Sequence, residues 1–317
     1  MLVAILLIIL GLGALIVGAE SLVRGASSLA KMFGIPPIVI GLTIVAFGTS
    51  APELIVNMFA AYRGSADLAV GNVIGSNIAN ILLILGIAAC IRPLRVKSNT
   101  VWKEIPFALL AVVLIYAMGN DALFDGMSFN AITRTDGFSL LAIFAIFLYY
   151  IYGISKKEKN NEDVKTYSQP VSFILVLVGL AFLFVGGKIL VDNAVLLARL
   201  AGLSEALIGL TIVAIGTSLP ELVTSVVAVI HKQDDIAVGN IVGSNIFNIF
   251  WILGLTSVFI QIPFNPATNF DVMVSMGVTT ILFVFVFVGK KNNVDRWQGI
   301  SFVAAYAVYL VFLGIRG

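Results

Sequence analysis

The chain has 317 residues, of which 60% are hydrophobic and 11% charged, and its formal net charge is +2. Soluble domains carry roughly 25% charged residues, so this composition excludes a soluble globular protein and indicates a membrane protein. The small net charge offers no basic patch for nucleic acid, and a single cysteine, Cys90, excludes an internal disulfide or a cysteine-based metal site.

Apolar runs of about 20 residues, long enough to cross a bilayer, recur along the chain. The first run has no Lys or Arg before Arg24, which is unlike a cleavable signal peptide and predicts a first span. The charged stretch 155–169 predicts a linker between two sets of five spans, 1–154 and 170–317. The predicted spans are 2–23, 36–62, 68–90, 104–119, 137–153, 171–198, 205–230, 236–260, 271–289 and 297–315.

The two sets of spans contain copies of one sequence. Segments 40–86 and 208–254 align without a gap at an offset of 168 residues and are identical at 28 of 47 positions. Such identity indicates an internal duplication. Because five is odd, the second copy is predicted to be inverted, which is typical of secondary transporters. With the N-terminus outside, 14 Lys and Arg residues lie in inner connections and 4 in outer ones. The positive-inside rule therefore predicts both termini outside and the linker in the cytoplasm.

Each copy places one glutamate deep inside a predicted span, Glu53 in the second and Glu221 in the seventh. A carboxylate at the centre of a bilayer costs several kcal/mol, so such residues usually face a partner, a cavity or an ion. A glutamate that merely hydrogen-bonds a neighbouring helix is the structural alternative. The same residue in the same motif of both copies favours an ion site.

Residues around each glutamate predict a broken helix. Pro52 and Pro220 have no N–H and clash with the turn before them, where Gly48 and Gly216 tolerate irregular backbone. Freed carbonyls and hydroxyls beside a carboxylate would form an oxygen cage for Ca²⁺ or Na⁺, although each motif alone could be a plain kink. The hydroxyls are those of Thr49, Ser50, Thr217 and Ser218.

The third and eighth spans predict a second wall of the site. Gly71 and Gly75 form a small-residue pattern that lets another helix approach closely. Residues four apart share a helical face, so part of the polar set would face the ions. These are Ser76, Asn80, Ser244 and Asn248. Another four amides could be ligands or purely structural: Asn72, Asn77, Asn240 and Asn245.

The paired motifs GTS-PE and GN--GSNI-N resemble the Ca²⁺/cation antiporter superfamily, and most closely its prokaryotic sodium/calcium exchanger branch. The resemblance covers nearly the whole chain and implies an all-α fold of ten transmembrane helices in two inverted-topology five-helix repeats. It implies that Glu53 and Glu221 are the central Ca²⁺ ligands. Carbonyls of Thr49 and Thr217 would complete that site, and Asn80 and Asn248 would border it. Flanking Na⁺ sites would use carbonyls of Ala46 and Ala214 and side chains of Ser50, Ser76, Ser218 and Ser244.

One departure concerns charge. Some family members, including potassium-dependent exchangers, have Asp at the position of Asn248. Here both copies have Asn, which leaves two formal negative charges, enough for one Ca²⁺ or two Na⁺. The resemblance therefore leaves the Na⁺:Ca²⁺ ratio open, and we expect no potassium dependence.

We expect a secondary antiporter that exchanges Ca²⁺ for Na⁺ by alternating access, with the glycine-punctuated spans 1 and 6 sliding across the other eight. Calcium/proton exchange at the same site is the alternative, since protons compete for carboxylate oxygens. An ion channel and an intramembrane hydrolase are weaker alternatives. The sequence has no GxxxxGK[ST] phosphate loop, so no use of ATP is expected. No Ser/His or HExxH arrangement lies at depth, so no enzyme activity is expected, and no organic cofactor is expected either. We expect a monomer in the inner or plasma membrane.

Overall fold

The computed structural model of the protein describes residues 1–157, 165–202, 214–290 and 292–316. They form an all-α architecture in which eight helices are long and apolar enough to cross a membrane, and one bent helix pair makes a ninth candidate. The helices are α1 (Leu2–Met32), α2 (Pro37–Thr49), α3 (Ala51–Tyr62), α4 (Ala66–Ile91), α5 (Thr100–Met118), α6 (Asp121–Phe124), α7 (Arg134–Lys157), α8 (Gln169–Leu200), α9 (Ala214–Thr217), α10 (Leu219–Ile230), α11 (Asp234–Phe259), α12 (Pro266–Phe285) and α13 (Arg296–Arg316).

Helices α1 and α8 pack antiparallel along a seam of small residues spaced seven apart. A Cβ added at Gly18 would lie 2.8 Å from the backbone nitrogen of Leu183, so the two backbones are in direct contact. Small residues permit such close approach of membrane helices. The seam pairs Gly11 with Gly186, Gly18 with Gly179 and Gly25 with Ser172.

The prediction that the first span ends at residue 23 is wrong, because α1 continues to Met32. Its polar end stays helical because it packs against the start of α8. The hydroxyls of Ser28 and Ser172 lie 2.8 Å apart, and both side chains are buried. Lys31 in the last turn also lies where a positive charge stabilises a helix end.

The predicted break in the second span is confirmed: α2 and α3 meet at Ser50 with a bend of 45°. Pro52 has no N–H, so the carbonyl of Gly48 loses its usual donor and the regular helix is interrupted. The described part of the seventh span has the same break at Ser218, with φ −88° and ψ 6° against −84° and 6° at Ser50. Residues 205–213 of that predicted span lie outside the described residues.

Helices α4 and α11 form the centre of the protein. In the most apolar 18-residue stretch of each helix, 94% of α11 is buried inside the protein but only 28% of α1. Both central helices contain a π-helical segment, Asn80–Leu85 in α4 and Phe247–Leu253 in α11, which the sequence analysis did not predict. Such segments are frequent at functional sites.

Two short antiparallel strand pairs join the halves of the chain. Strand β1 (Leu94–Arg95) pairs with β4 (Asn293–Val294), and β2 (Ala131–Ile132) pairs with β3 (Ile262–Pro263). Each pair therefore links the connection after a central helix of one half to a connection in the other half. The remaining predicted spans each overlap one long helix, and residues 158–164 of the predicted linker lie outside the described residues.

Candidate cation site

Glu53 and Glu221 each lie in the first turn of the helix that follows a break, Glu53 in α3 and Glu221 in α10. Both residues are only 1% exposed. A helix N-terminus carries partial positive charge, which stabilises a carboxylate placed there. The helix breaks therefore set two acidic side chains at equivalent places in the interior.

Serine contacts bring the two breaks together. Ser50 Oγ donates a hydrogen bond to Oε1 of Glu221 at 2.9 Å, and Ser218 Oγ donates to Oε1 of Glu53 at 3.5 Å. Because each serine stands three residues before the glutamate of its own copy, each carboxylate lies beside the helix break of the other copy. The two predicted acidic residues thus belong to one site.

Serines of the central helices α4 and α11 also lie at the candidate site. The hydroxyls of Ser50 and Ser244 lie 3.0 Å apart, and those of Ser218 and Ser76 lie 3.3 Å apart. Ser244 Oγ also lies 3.4 Å from Oε1 of Glu221. Three of the four predicted serines therefore contact a carboxylate, and Ser76 contacts Ser218 beside it.

Among the buried side-chain atoms without a hydrogen-bond partner in the described part of the chain are two carboxylate oxygens and two amide oxygens at this candidate site. They are Oε2 of Glu53, Oε2 of Glu221, Oδ1 of Asn80 and Oδ1 of Asn248. Asn80 lies one helical turn after Ser76, and Asn248 one turn after Ser244, so the amides follow the serines on the same helix faces. An unsatisfied buried acceptor costs about 1–3 kcal/mol, and a bound cation or water would satisfy it.

No ion pair with Glu53 or Glu221 occurs among the residues that the structure describes. A buried charge without a partner is strongly destabilising, so an ionised pair needs a bound cation. The described ranges also contain no group of three or more His, Cys, Asp or Glu side chains that could hold a metal. Further ligands would therefore be neutral oxygens, which suits hard cations such as Ca²⁺.

The predicted carbonyl ligands lie at the same breaks. The Ala46 carbonyl accepts the N–H of Ser50 at 3.0 Å, and Ala214 is the first residue of α9. The Thr49 side chain lies 3.0 Å from Oδ1 of Asn240, and the Thr217 side chain lies 3.4 Å from Oδ1 of Asn72. Coordination by these four backbone carbonyls stays a prediction.

The amides that the sequence left open have two kinds of contact. Asn72 and Asn240 accept hydrogen bonds from the threonines of the broken helices, and Asn240 Nδ2 also lies 3.0 Å from Ser225 Oγ. Asn77 and Asn245 instead contact each other's helix across the centre. Ser225 was not predicted from the sequence as part of the site. The threonine contacts could have been predicted, because both copies have Thr and Asn at matching positions.

Comparison with known proteins gives one family. The family model described as "Sodium/calcium exchanger protein" matches residues 3–153 and 171–314. The chain is 38% identical to inner membrane protein YrbG of Escherichia coli, over 99% of this chain and 97% of the relative. It is 32% identical to sodium/calcium exchanger MaX1 of Methanosarcina acetivorans, over 97% of both chains. A solved structure of the sodium-calcium exchanger NCX_Mj, soaked with Na⁺ and Sr²⁺, has a TM-score of 0.84 and 33% identity and covers 98% of both chains.

Proposed function

The chain belongs to the sodium/calcium exchanger protein family, and on that premise we propose that it exchanges Ca²⁺ for Na⁺ by alternating access at the Glu53 and Glu221 site. The family comprises secondary transporters, so the chain is a multi-pass membrane transporter and not an enzyme. Its relatives are named as sodium/calcium exchangers and, in Alkalimonas amylolytica, as a putative antiporter. These names support calcium and cation antiport.

The observation that carries the proposal is the set of four buried acceptor oxygens on Glu53, Glu221, Asn80 and Asn248. All four are acceptors, so the set suits a bare cation and opposes an anion. Ca²⁺ takes six to eight oxygen ligands, so neighbouring hydroxyls and carbonyls would complete its shell. The proposed ligands comprise the side chains of Ser50, Ser76, Ser218 and Ser244 and the carbonyls of Ala46, Thr49, Ala214 and Thr217.

Charge supports competition between the two ions. Two carboxylates balance one Ca²⁺ or two Na⁺, whereas a third Na⁺ would leave net positive charge in a poorly solvated site. The neutral Asn248 and Asn80 add no further charge. We therefore propose an electroneutral exchange of two Na⁺ for one Ca²⁺.

An inverted repeat of ten spans is supported by the antiparallel packing of α1 and α8, which occupy equivalent places in the two copies. Their glycines face each other across the seam and so hold these helices together as one pair. The proposed alternating access moves this pair as a unit across the remaining helices. A pair joined backbone to backbone can shift without losing its own contacts.

The proposed setting is a cell membrane, as the name of the Escherichia coli relative suggests. Both termini would lie outside and the linker 155–169 in the cytoplasm. The proposed working unit is a monomer that handles Na⁺ and Ca²⁺ without ATP or an organic cofactor.

The test is ⁴⁵Ca²⁺ uptake into proteoliposomes that contain the purified protein. An outward Na⁺ gradient should drive uptake, and an imposed pH gradient without Na⁺ should not. Uptake driven by the pH gradient alone would instead support proton-coupled exchange. Saturation with Ca²⁺ and a requirement for a counter-ion separate an exchanger from a channel. Mg²⁺, Mn²⁺ and K⁺ serve as competing ions.

A further inference from the structure

We propose that Asn77 and Asn245 are positioning residues that decide which amide atom of Asn80 and Asn248 faces the cation. The inference rests on the proposed function, since it concerns the same site. Asn77 and Asn245 are 1% and 3% exposed and lie where α4 and α11 cross. Neither was assigned a role by the sequence.

Two backbone carbonyls set the orientation of the Asn77 and Asn245 side chains. Asn77 Nδ2 donates to the carbonyl of Asn245 at 3.2 Å, and Asn245 Nδ2 donates to the carbonyl of Asn77 at 3.4 Å. A carbonyl oxygen can only accept, so each side chain must present its NH₂ group to the opposite backbone. The Oδ1 atom of each side chain must then point the other way.

These Oδ1 atoms fix the next pair of amides. Asn80 Nδ2 donates to Oδ1 of Asn245 at 2.9 Å, and Asn248 Nδ2 donates to Oδ1 of Asn77 at 3.0 Å. The NH₂ groups of Asn80 and Asn248 are thereby held by the opposite copy. Their Oδ1 atoms are left as buried acceptors without a partner in the described ranges.

These hydrogen bonds fix which amide atom of Asn80 and Asn248, the oxygen or the nitrogen, faces the cation. An amide has an oxygen and a nitrogen of nearly equal size, so a free Asn could turn either atom toward the ion. An NH₂ group that faced a cation would repel it. The four asparagines, which we name the amide clasp, therefore make Asn80 and Asn248 one-way oxygen ligands.

The clasp also predicts the effect of replacing Asn80 by Asp. A carboxylate has two equivalent oxygens and needs no orientation, but it has no N–H for Oδ1 of Asn245. Asn80→Asp alone should therefore be impaired by repulsion between two acceptors. Removal of the opposing acceptor by Asn245→Leu should relieve that repulsion.

The experiment measures ⁴⁵Ca²⁺ equilibrium binding and the KM and Vmax of uptake for both single variants and the double variant. Asn245→Leu should raise Kd and KM for Ca²⁺ about tenfold with little change in Vmax. Asn80→Asp should also bind Ca²⁺ more weakly, and the double variant should bind it more tightly than either single variant. If Asn245→Leu does not fold, Asn77→Leu with Asn248→Asp tests the other half of the clasp.

Asn269→Leu is the matched control. Asn120, between α5 and α6, and Asn269 in α12 exchange two amide hydrogen bonds, at 2.8 and 2.7 Å. This variant should lower the unfolding temperature without moving KM. A wild-type KM in Asn245→Leu, or an equal effect of Asn80→Asp in both backgrounds, would overturn the positioning role. Failure of the proposed function would look different, because Glu53→Gln and Glu221→Gln would then bind Ca²⁺ like the wild type.

Discussion

The two broken helices have the same Gly-Thr-Ser motif, but the described contacts of the two copies differ in length. In the first copy, Thr49 and Ser50 contact Asn240, Glu221 and Ser244 at 3.0, 2.9 and 3.0 Å. The equivalent contacts in the second copy, from Thr217 and Ser218 to Asn72, Glu53 and Ser76, measure 3.4, 3.5 and 3.3 Å.

The amide clasp does not share this asymmetry. Its outer contacts measure 2.9 and 3.0 Å, and its inner ones 3.2 and 3.4 Å. The difference between the copies therefore lies in the broken helices and not in the central helices. Under the proposed alternating access, the shorter contacts around Ser50 (the tight arm) and the longer contacts around Ser218 (the loose arm) would correspond to one end point of the cycle, with the clasp as the fixed centre.

The largest expected effect comes from removal of one charge. Glu53→Gln and Glu221→Gln should each abolish Na⁺-driven Ca²⁺ uptake, because one carboxylate cannot balance Ca²⁺ in a buried site. Proteoliposome uptake measures this. Glu104→Gln is the control: Glu104 is also buried in a span, where Tyr150 donates a hydrogen bond to it. Normal uptake by either site variant would refute the site.

The next effect concerns helices α1 and α8, the pair that is proposed to move. Gly18→Leu and Gly186→Leu should lower the Vmax of exchange about tenfold or more while Ca²⁺ binding changes little, because they force α1 and α8 apart. A Cβ at Gly186 would lie 2.8 Å from the carbonyl oxygen of Gly11. Gly13→Leu is the control, since a Cβ there meets no described atom within 4 Å. Equal loss of binding and exchange would contradict the proposed movement.

A smaller effect should distinguish the contacts of Ser50 from those of Ser218. Ser50→Ala should lower the free energy of unfolding by about 1 kcal/mol, because it removes the 2.9 Å hydrogen bond to Glu221. Ser218→Ala should cost less, because its contact with Glu53 is 3.5 Å long. Thermal unfolding of the ion-free protein in detergent compares them. Equal destabilisation would mean that the arms are equally engaged in solution.

The smallest expected effect is that of the membrane potential. Exchange of two Na⁺ for one Ca²⁺ moves no net charge, so a K⁺ diffusion potential should leave the uptake rate unchanged. One net charge would feel about 2.3 kcal/mol per 100 mV. Asn248→Asp combined with Asn77→Leu adds a negative charge without opposing the Oδ1 of Asn77, and we expect uptake by this double variant to respond to the potential. Potential-dependent uptake by the wild type would contradict the two-charge account.

The duplication made most of the site predictable. Pro52 and Pro220 located both helix breaks, and the matched motifs identified both glutamates and the serines beside them. The asymmetry between Ser50 and Ser218 was not predictable, because identical motifs cannot specify which copy is held more tightly. The asymmetry depends on how whole helices are placed relative to one another.

Other features depend on tertiary contacts that the sequence pattern does not contain. The end of α1 is polar, so hydropathy stopped the first span at residue 23, whereas packing against Ser172 extends the helix to Met32. In the central helices, one π-helical segment begins at Asn80 and the other at Phe247, one residue before Asn248. Each of these asparagines donates its amide N–H across the protein centre. Local periodicity cannot reveal such a partner.

The most direct measurement is a crystal structure of the protein with Ca²⁺ bound, with the ion located by its anomalous scattering. The account predicts one ion at about 2.3–2.6 Å from Oε2 of both Glu53 and Glu221, with Oδ1 of Asn80 and Asn248 turned toward it. An ion bound elsewhere, or one that touches only a single glutamate, would contradict it.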